Sequence, residues 1–78
     1  MRATVVVRPK AGILDPQGEA VEGSLRKLGF DVSAVRVGRV IDLELADESD
    51  ARGQLERMCD ALLANSLIES YQIELAES

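Results

Sequence analysis

The stretch Val32-Ser33-Ala34-Val35-Arg36-Val37-Gly38-Arg39-Val40-Ile41-Asp42-Leu43-Glu44-Leu45 decides the fold. Val35, Val37, Ile41, Leu43 and Leu45 are all odd-numbered, so an extended chain would carry one apolar face through the whole stretch without a change of phase. A two-residue turn at 38–39 would pair 37 with 40 and 36 with 41, which sets Val35 and Val37 on the face opposite Ile41 and Leu43. A three-residue loop at 38–40 pairs 37 with 41 and 35 with 43 and keeps the faces consistent. So does one long strand bent at Gly38. Three-residue hairpin loops want glycine at the last, left-handed position. Here glycine comes first and Val40, a β-branched residue ill suited to positive φ, comes last. The continuous bent strand is the favoured expectation. It would let the two halves of one chain join different sheets, as in an intertwined dimer.

Upstream, residues 2–8 alternate, with Ala3, Val5 and Val7 on one face, and Pro9 has no N–H to continue a ladder. Asp15 reads as an N-cap and Pro16 as the first residue of a helix. Val21, Leu25 and Leu28 share a face of that helix, Arg26 and Lys27 suit its last turn, and Gly29 suits a left-handed stop. Downstream, Asp47 or Ser49 is placed to cap a second helix, on which Ala51, Leu55, Met58, Cys59 and Leu62 follow the helical period. That stripe predicts a loss of about 2–5 kcal/mol for Leu62→Ala. Asn65 is a helix stop, and Tyr71, Ile73 and Leu75 alternate in a last strand. The order is βαββαβ: an α+β, ferredoxin-like single domain over 1–78, with an antiparallel sheet and two helices on one face.

Composition narrows the function. A chain of 78 residues buries only about 60% of the surface its unfolded form exposes, so association is expected. Net charge is −5, against nucleic acid and membrane surfaces, and the only aromatics are Phe30 and Tyr71. Charge is uneven: residues 1–39 carry +3 and residues 40–78 carry −8. There is no histidine, which removes Ser-His-Asp and Cys-His pairs, and one cysteine, which suits a reducing cytoplasm. No apolar run approaches the roughly 20 residues of a membrane span, and Arg2 and Arg8 make the start unlike a signal peptide.

Each candidate for chemistry has a plainer reading. Asp47-Glu48-Ser49-Asp50 lacks the spacing of a calcium loop and reads as a solvated helix start. Asp42 and Glu44 share a strand face and could converge for acid–base work, but they face away from Leu43 and Leu45 as ordinary surface does. Cys59 lies on the apolar stripe without a base beside it. Gly12, Gly18 and Gly23 follow no phosphate-loop spacing, although Arg8, Lys10 and the helix start at Pro16 could draw an anion. Arg36 and Arg39 flank Gly38 and could fork onto carboxylates across an interface. No catalytic constellation emerges.

Several blocks carry a resemblance: Val5-Val6-Val7-Arg8-Pro9-Lys10, Leu14-Asp15-Pro16-Gln17-Gly18, Val35-Arg36-Val37-Gly38-Arg39, Ile41-Asp42-Leu43-Glu44-Leu45, Met58-Cys59, Leu62-Leu63-Ala64-Asn65 and Ile68-Glu69-Ser70-Tyr71. Through them the chain resembles the PurS family, small subunits of phosphoribosylformylglycinamidine (FGAM) synthase, over nearly its whole length. It departs from the family's common pattern near Arg39, where Lys is frequent, and near Ser66, where Pro is frequent. The resemblance implies a cytoplasmic, non-catalytic subunit of a glutamine-dependent ligase in purine synthesis. It implies a homodimer or higher oligomer bridging a large PurL-like synthetase subunit and a PurQ-like glutaminase and aiding ammonia transfer. ATP, magnesium and glutamine would be used by the complex, with no cofactor, metal or catalytic residue on this chain. Arg8, Lys10, Asp15, Arg36, Gly38, Arg39, Asp42 and Glu44 are the interface candidates. A rival reading is an ACT-like module binding a small molecule at a dimer interface. An RNA-recognition module would need aromatics on the central strands, where Val, Arg, Asp and Glu stand.

Overall fold

In a computed structural model of the chain, which describes residues 1–76, strand β1 (Arg2–Pro9) is followed by helix α1 (Pro16–Lys27) and strand β2 (Arg39–Glu44). Helix α2 (Ala51–Met58) runs on into a π-helical turn (Cys59–Leu63), and strand β3 (Glu69–Ala76) ends the order. The sheet is antiparallel with order β2-β1-β3. Register aligns Leu43, Ala3 and Leu75 in one row and Ile41, Val5 and Ile73 in the next. The odd-numbered phase expected from the sequence therefore faces one way in all three strands. Ala3, Val5, Val7 and Leu45 close against Ala51, Leu55, Cys59 and Ala64 as the core, with Val5, Val7, Leu55 and Cys59 fully buried.

The α+β, ferredoxin-like plan holds, with two departures. Among the described residues no strand forms at 32–37, so the sheet has three strands rather than four, and neither the favoured continuous strand bent at Gly38 nor either hairpin there exists. Val35 and Val37 are half-buried while Arg36 and Gly38 are exposed, so the alternation persists with no ladder partner in the same chain. The second departure is α1. Its only buried residue is Gly18, none of its side chains joins the core, and α2 alone covers the sheet. Leu28 and Phe30, at its end, are 74% and 59% exposed. The chain is accordingly long: its Cα radius of gyration is 15.7 Å, against about 11.5 Å for a compact chain of this size.

Two local expectations also change. Helix α2 is capped by neither Asp47 nor Ser49. Asp47 accepts hydrogen bonds from the Ser49 amide (2.9 Å) and hydroxyl (2.7 Å), and Asp50, at φ 49°, occupies the cap position. The helical stripe breaks at Leu62, which is 83% exposed. The amide of Ala64 reaches back five residues to the Cys59 carbonyl (3.0 Å), and this wider turn carries Leu62 outward while Ala64 takes a buried place. Leu55→Ala should therefore cost about 2–5 kcal/mol and Leu62→Ala less than about 0.5 kcal/mol. Chemical denaturation of the two variants checks this; equal losses would reject the π-turn.

Candidate interface at the basic end

The interface candidates divide between the two ends of the sheet. At the end where β1 finishes, Asp15 does two jobs. One carboxylate oxygen accepts from the Gly18 amide (3.0 Å), the cap read from the sequence. The other accepts from the Val37 amide (2.9 Å), 22 residues away. These bonds, that to Val37 first, and the nearby Arg36 charge hold the carboxyl below its ordinary value of 3.8. Gly18 lets this happen, because a Cβ there would overlap both the Asp15 carboxylate and the Val35 carbonyl oxygen.

The 31–38 segment is strapped at two further points. Arg26 donates to the Val32 carbonyl (3.0 and 3.2 Å), and Arg36 donates to the carbonyls of Lys10 (2.7 Å) and Pro9 (3.4 Å). Gly38 lies against the Val7 carbonyl oxygen, where a Cβ would not fit. The bend glycine of the sequence is thus a close-approach glycine, and β2 begins directly after it.

Arg39 meets its carboxylate inside the chain. Its guanidinium forks onto Glu69 (2.7 and 3.1 Å) and also donates to the Leu63 carbonyl, and Glu69 accepts from the Asn65 amide (2.8 Å). The Arg39 hydrogen bond is the main reason the Glu69 carboxyl sits below its usual range, and the pairing raises Arg39 in turn. Lys10 donates from its side chain to the Ser66 carbonyl (2.7 Å) and from its amide to the Ile68 carbonyl (2.9 Å). Together these bonds tie the π-turn and the 64–69 loop to the start of β2. Sequence reading missed Glu69, whose only signal was its place at the start of the last strand.

The Arg8 guanidinium makes neither a hydrogen bond nor an ion pair among the described residues, and with Arg36, Pro9, Ala11 and Gly38 it lines a recess of about 270 Å³. A larger groove of about 380 Å³ runs between Leu14, Gln17, Val37 and Ile68. Asp42 and Glu44 stand at the opposite end, beside Thr4 and Arg2: the Thr4 hydroxyl donates to Asp42 (3.0 Å), and Arg2 lies 3.7 Å from Glu44. Cys59 is buried, and desolvation with the nearby Asp60 and Glu56 pushes its thiol above 9.0, so it stays protonated at neutral pH. Among the described residues, no three His, Cys, Asp or Glu side chains are grouped to hold a metal, and no helix is long and apolar enough to cross a membrane.

Comparison with known proteins agrees with the fold and the blocks. Residues 2–77 match the PurS family, described as phosphoribosylformylglycinamidine (FGAM) synthase. The chain is 49% identical over 77 residues to the PurS subunit of that synthase from Synechocystis, which spans 95% of this chain and 75% of the relative. It superposes on Bacillus subtilis PurS with a TM-score of 0.89 at 36% identity, covering 97% and 98% of the two chains. A chain in the structure of PurLQS from Thermotoga maritima matches with a TM-score of 0.73 at 28% identity, covering 94% and 93%.

The packing at Gly18 yields a paired test. Alanine ordinarily favours a helix over glycine by up to about 1 kcal/mol. Gly23→Ala, with open space around it, should stabilise the protein by about that much, whereas Gly18→Ala should destabilise it by pushing Val35 away. Thermal midpoints moving in the same direction would refute the contact between α1 and the 31–38 segment.

Proposed function

The chain belongs to the PurS family, and from that premise we propose that this small subunit of FGAM synthase, a glutamine-dependent ligase of purine biosynthesis, is a non-catalytic bridge between a PurL-like synthetase and a PurQ-like glutaminase. ATP, magnesium and glutamine belong to those partners, the assembly works in the cytoplasm, and the bridge aids passage of ammonia from one partner to the other. One observation carries the bridging role: much of the chain lies outside the single buried core. The 31–38 segment has no ladder, the α1 face is uncovered, and the molecule is drawn out to 49 × 27 × 15 Å. Such surfaces suit a subunit whose work is contact. Cys59, the chain's one thiol, is sealed in the core and held protonated, which supports leaving glutamine hydrolysis to a partner.

The same surfaces support an intertwined homodimer as the working unit. Among the described residues the outer edge of β2 has no neighbour, and the segment expected to fill it lies strapped alongside. A second copy offering its 31–38 segment to that edge would complete a four-stranded sheet and cover the α1 face.

Two measurements test these readings. Glutamine-dependent synthesis of formylglycinamidine ribonucleotide by the two partner subunits should rise at least about tenfold when this chain is added, and the chain alone should hydrolyse neither glutamine nor ATP. Equal synthesis without it would reject the bridging role. For the dimer, folding is coupled to association, so the thermal midpoint should climb with protein concentration. A midpoint independent of concentration, with a folded monomer in sedimentation, would reject the intertwined arrangement.

A further inference from the structure

The basic end of the sheet holds more guanidinium than the chain itself uses. Arg8, Pro9, Ala11, Arg36 and Gly38 line one recess of about 270 Å³. Arg8 reaches it from β1 with its guanidinium unspent among the described residues. Arg36 reaches it from the 31–38 segment. Its Nη2 donates to the carbonyls of Lys10 (2.7 Å) and Pro9 (3.4 Å), which fixes the group, while its Nη1 and Nε donate to nothing among the described residues. One guanidinium is thus pinned with donors to spare, and the other is uncommitted. The charges around them leave the recess positive. In the adjoining groove Arg39 and Glu69 cancel each other. Lys10 keeps its charge while donating to the Ser66 carbonyl. Asp15 is the remaining acid, and its two oxygens are taken by the Gly18 and Val37 amides. The helix start at Pro16, which on sequence could also draw an anion, is filled by that same carboxylate.

We infer that the Arg8–Arg36 recess is a binding site for a phosphate-class oxyanion, which bridges the end of β1 to the 31–38 segment. The donors select the class. Two guanidinium groups from different elements offer two forks. A tetrahedral dianion has oxygens for both at once, whereas a carboxylate, planar and singly charged, fills one. Both arginines are exposed, so solvent and salt weaken the contact and the affinity is modest. Bridging has a mechanical consequence. Arg8 belongs to the strand at the centre of the sheet, and Arg36 to a segment outside the core. An anion held by both adds a fastening between them, and by mass action its occupancy stabilises the strapped arrangement. A phosphate-bearing molecule thereby firms one of the surfaces on which the bridging role rests, although the site itself does not depend on that role. The same chemistry has two sources, free phosphate and the phosphomonoester end of a sugar or nucleotide, and the probes below separate them.

The test is an NMR titration of the full chain at constant ionic strength, with chloride exchanged for inorganic phosphate or for ribose 5-phosphate. The side-chain N–H signals of Arg8 and Arg36 and the amides of Ala11 and Gly38 should shift saturably, half-saturating at about 1–10 mM. Hydrogen exchange at the Val37 amide, which donates to Asp15, should slow at least about threefold near saturation. Tighter binding of the sugar phosphate assigns the site to the ester, and equal or weaker binding assigns it to the free ion. Arg8→Gln removes a guanidinium that has no bond within the chain to lose. It should leave the thermal midpoint in chloride unchanged and weaken phosphate binding at least about tenfold. Arg8→Lys, which keeps the charge without the fork, should fall between the two. Signals that never saturate, shifts that chloride reproduces, or an Arg8→Gln variant that binds undiminished would each overturn the inference. Saturable binding that leaves exchange at Val37 unchanged would overturn the bridge between β1 and the 31–38 segment.

Discussion

Every other part of the molecule takes its position from strand β1. Among the described residues it is the only strand bonded on both sides, and its Ala3, Val5 and Val7 are the floor on which α2 closes. Its last residues also supply the acceptors that locate the rest of the first half. The Val7 carbonyl sits against Gly38, and the Pro9 and Lys10 carbonyls receive Arg36. The buried apolar core holds α2 in place, whereas α1 and the 31–38 segment lie outside that core and are fastened by the hydrogen bonds of Asp15, Arg26 and Arg36. That division matters because a single polar bond to an exposed group contributes about 1 kcal/mol, whereas a buried Leu contributes several times as much. The half of the chain strapped by Asp15, Arg26 and Arg36 is the half that can change partners at small cost.

The sequence displayed the core clearly because burial and period coincide. Odd positions on three strands and Ala51, Leu55 and Cys59 on a helix face leave little freedom once one face must be dry. Failures fell where a local rule met a tertiary one. Val32 to Val37 alternates as a strand should, and nothing local records that its neighbour is missing from the same chain. Leu62 obeys the helical period up to the point where the π-turn at Cys59–Leu63 adds a residue to the turn. Asp47 has the chemistry of a cap, but its carboxylate is taken by Ser49 two residues on, leaving Asp50 in the left-handed conformation at the helix start.

The interface candidates were legible as residue types and less so as roles. Asp15 announced its cap through Pro16 and Gly18, but its second bond, to Val37, spans 22 residues and has no pattern in sequence. On sequence, Arg39 could fork onto an acid across an interface or stand on a solvated strand edge. It meets Glu69 in its own chain, because β2 and β3 flank β1 and their starting ends lie at the same end of the sheet. Arg8 keeps its guanidinium free for the opposite reason: it points from the uncovered face, where the acids of its own chain stand two rows away.

A chain of this size faces a geometric limit. One helix of eight residues with its π-turn covers one face of three strands, and among the described residues the twelve-residue α1 does not cover the other. A second helix is present, but laying α1 on the sheet within the same chain would need the 31–38 segment to return along the β2 edge through a tight turn at Gly38-Arg39-Val40. The phase of Val35 and Val37 forbids a two-residue turn, and Val40 disfavours the three-residue one. The same residues that keep one apolar face continuous therefore prevent the chain from closing on itself. An open sheet face and an unpaired β2 edge among the described residues are the surfaces on which the bridging role proposed above rests.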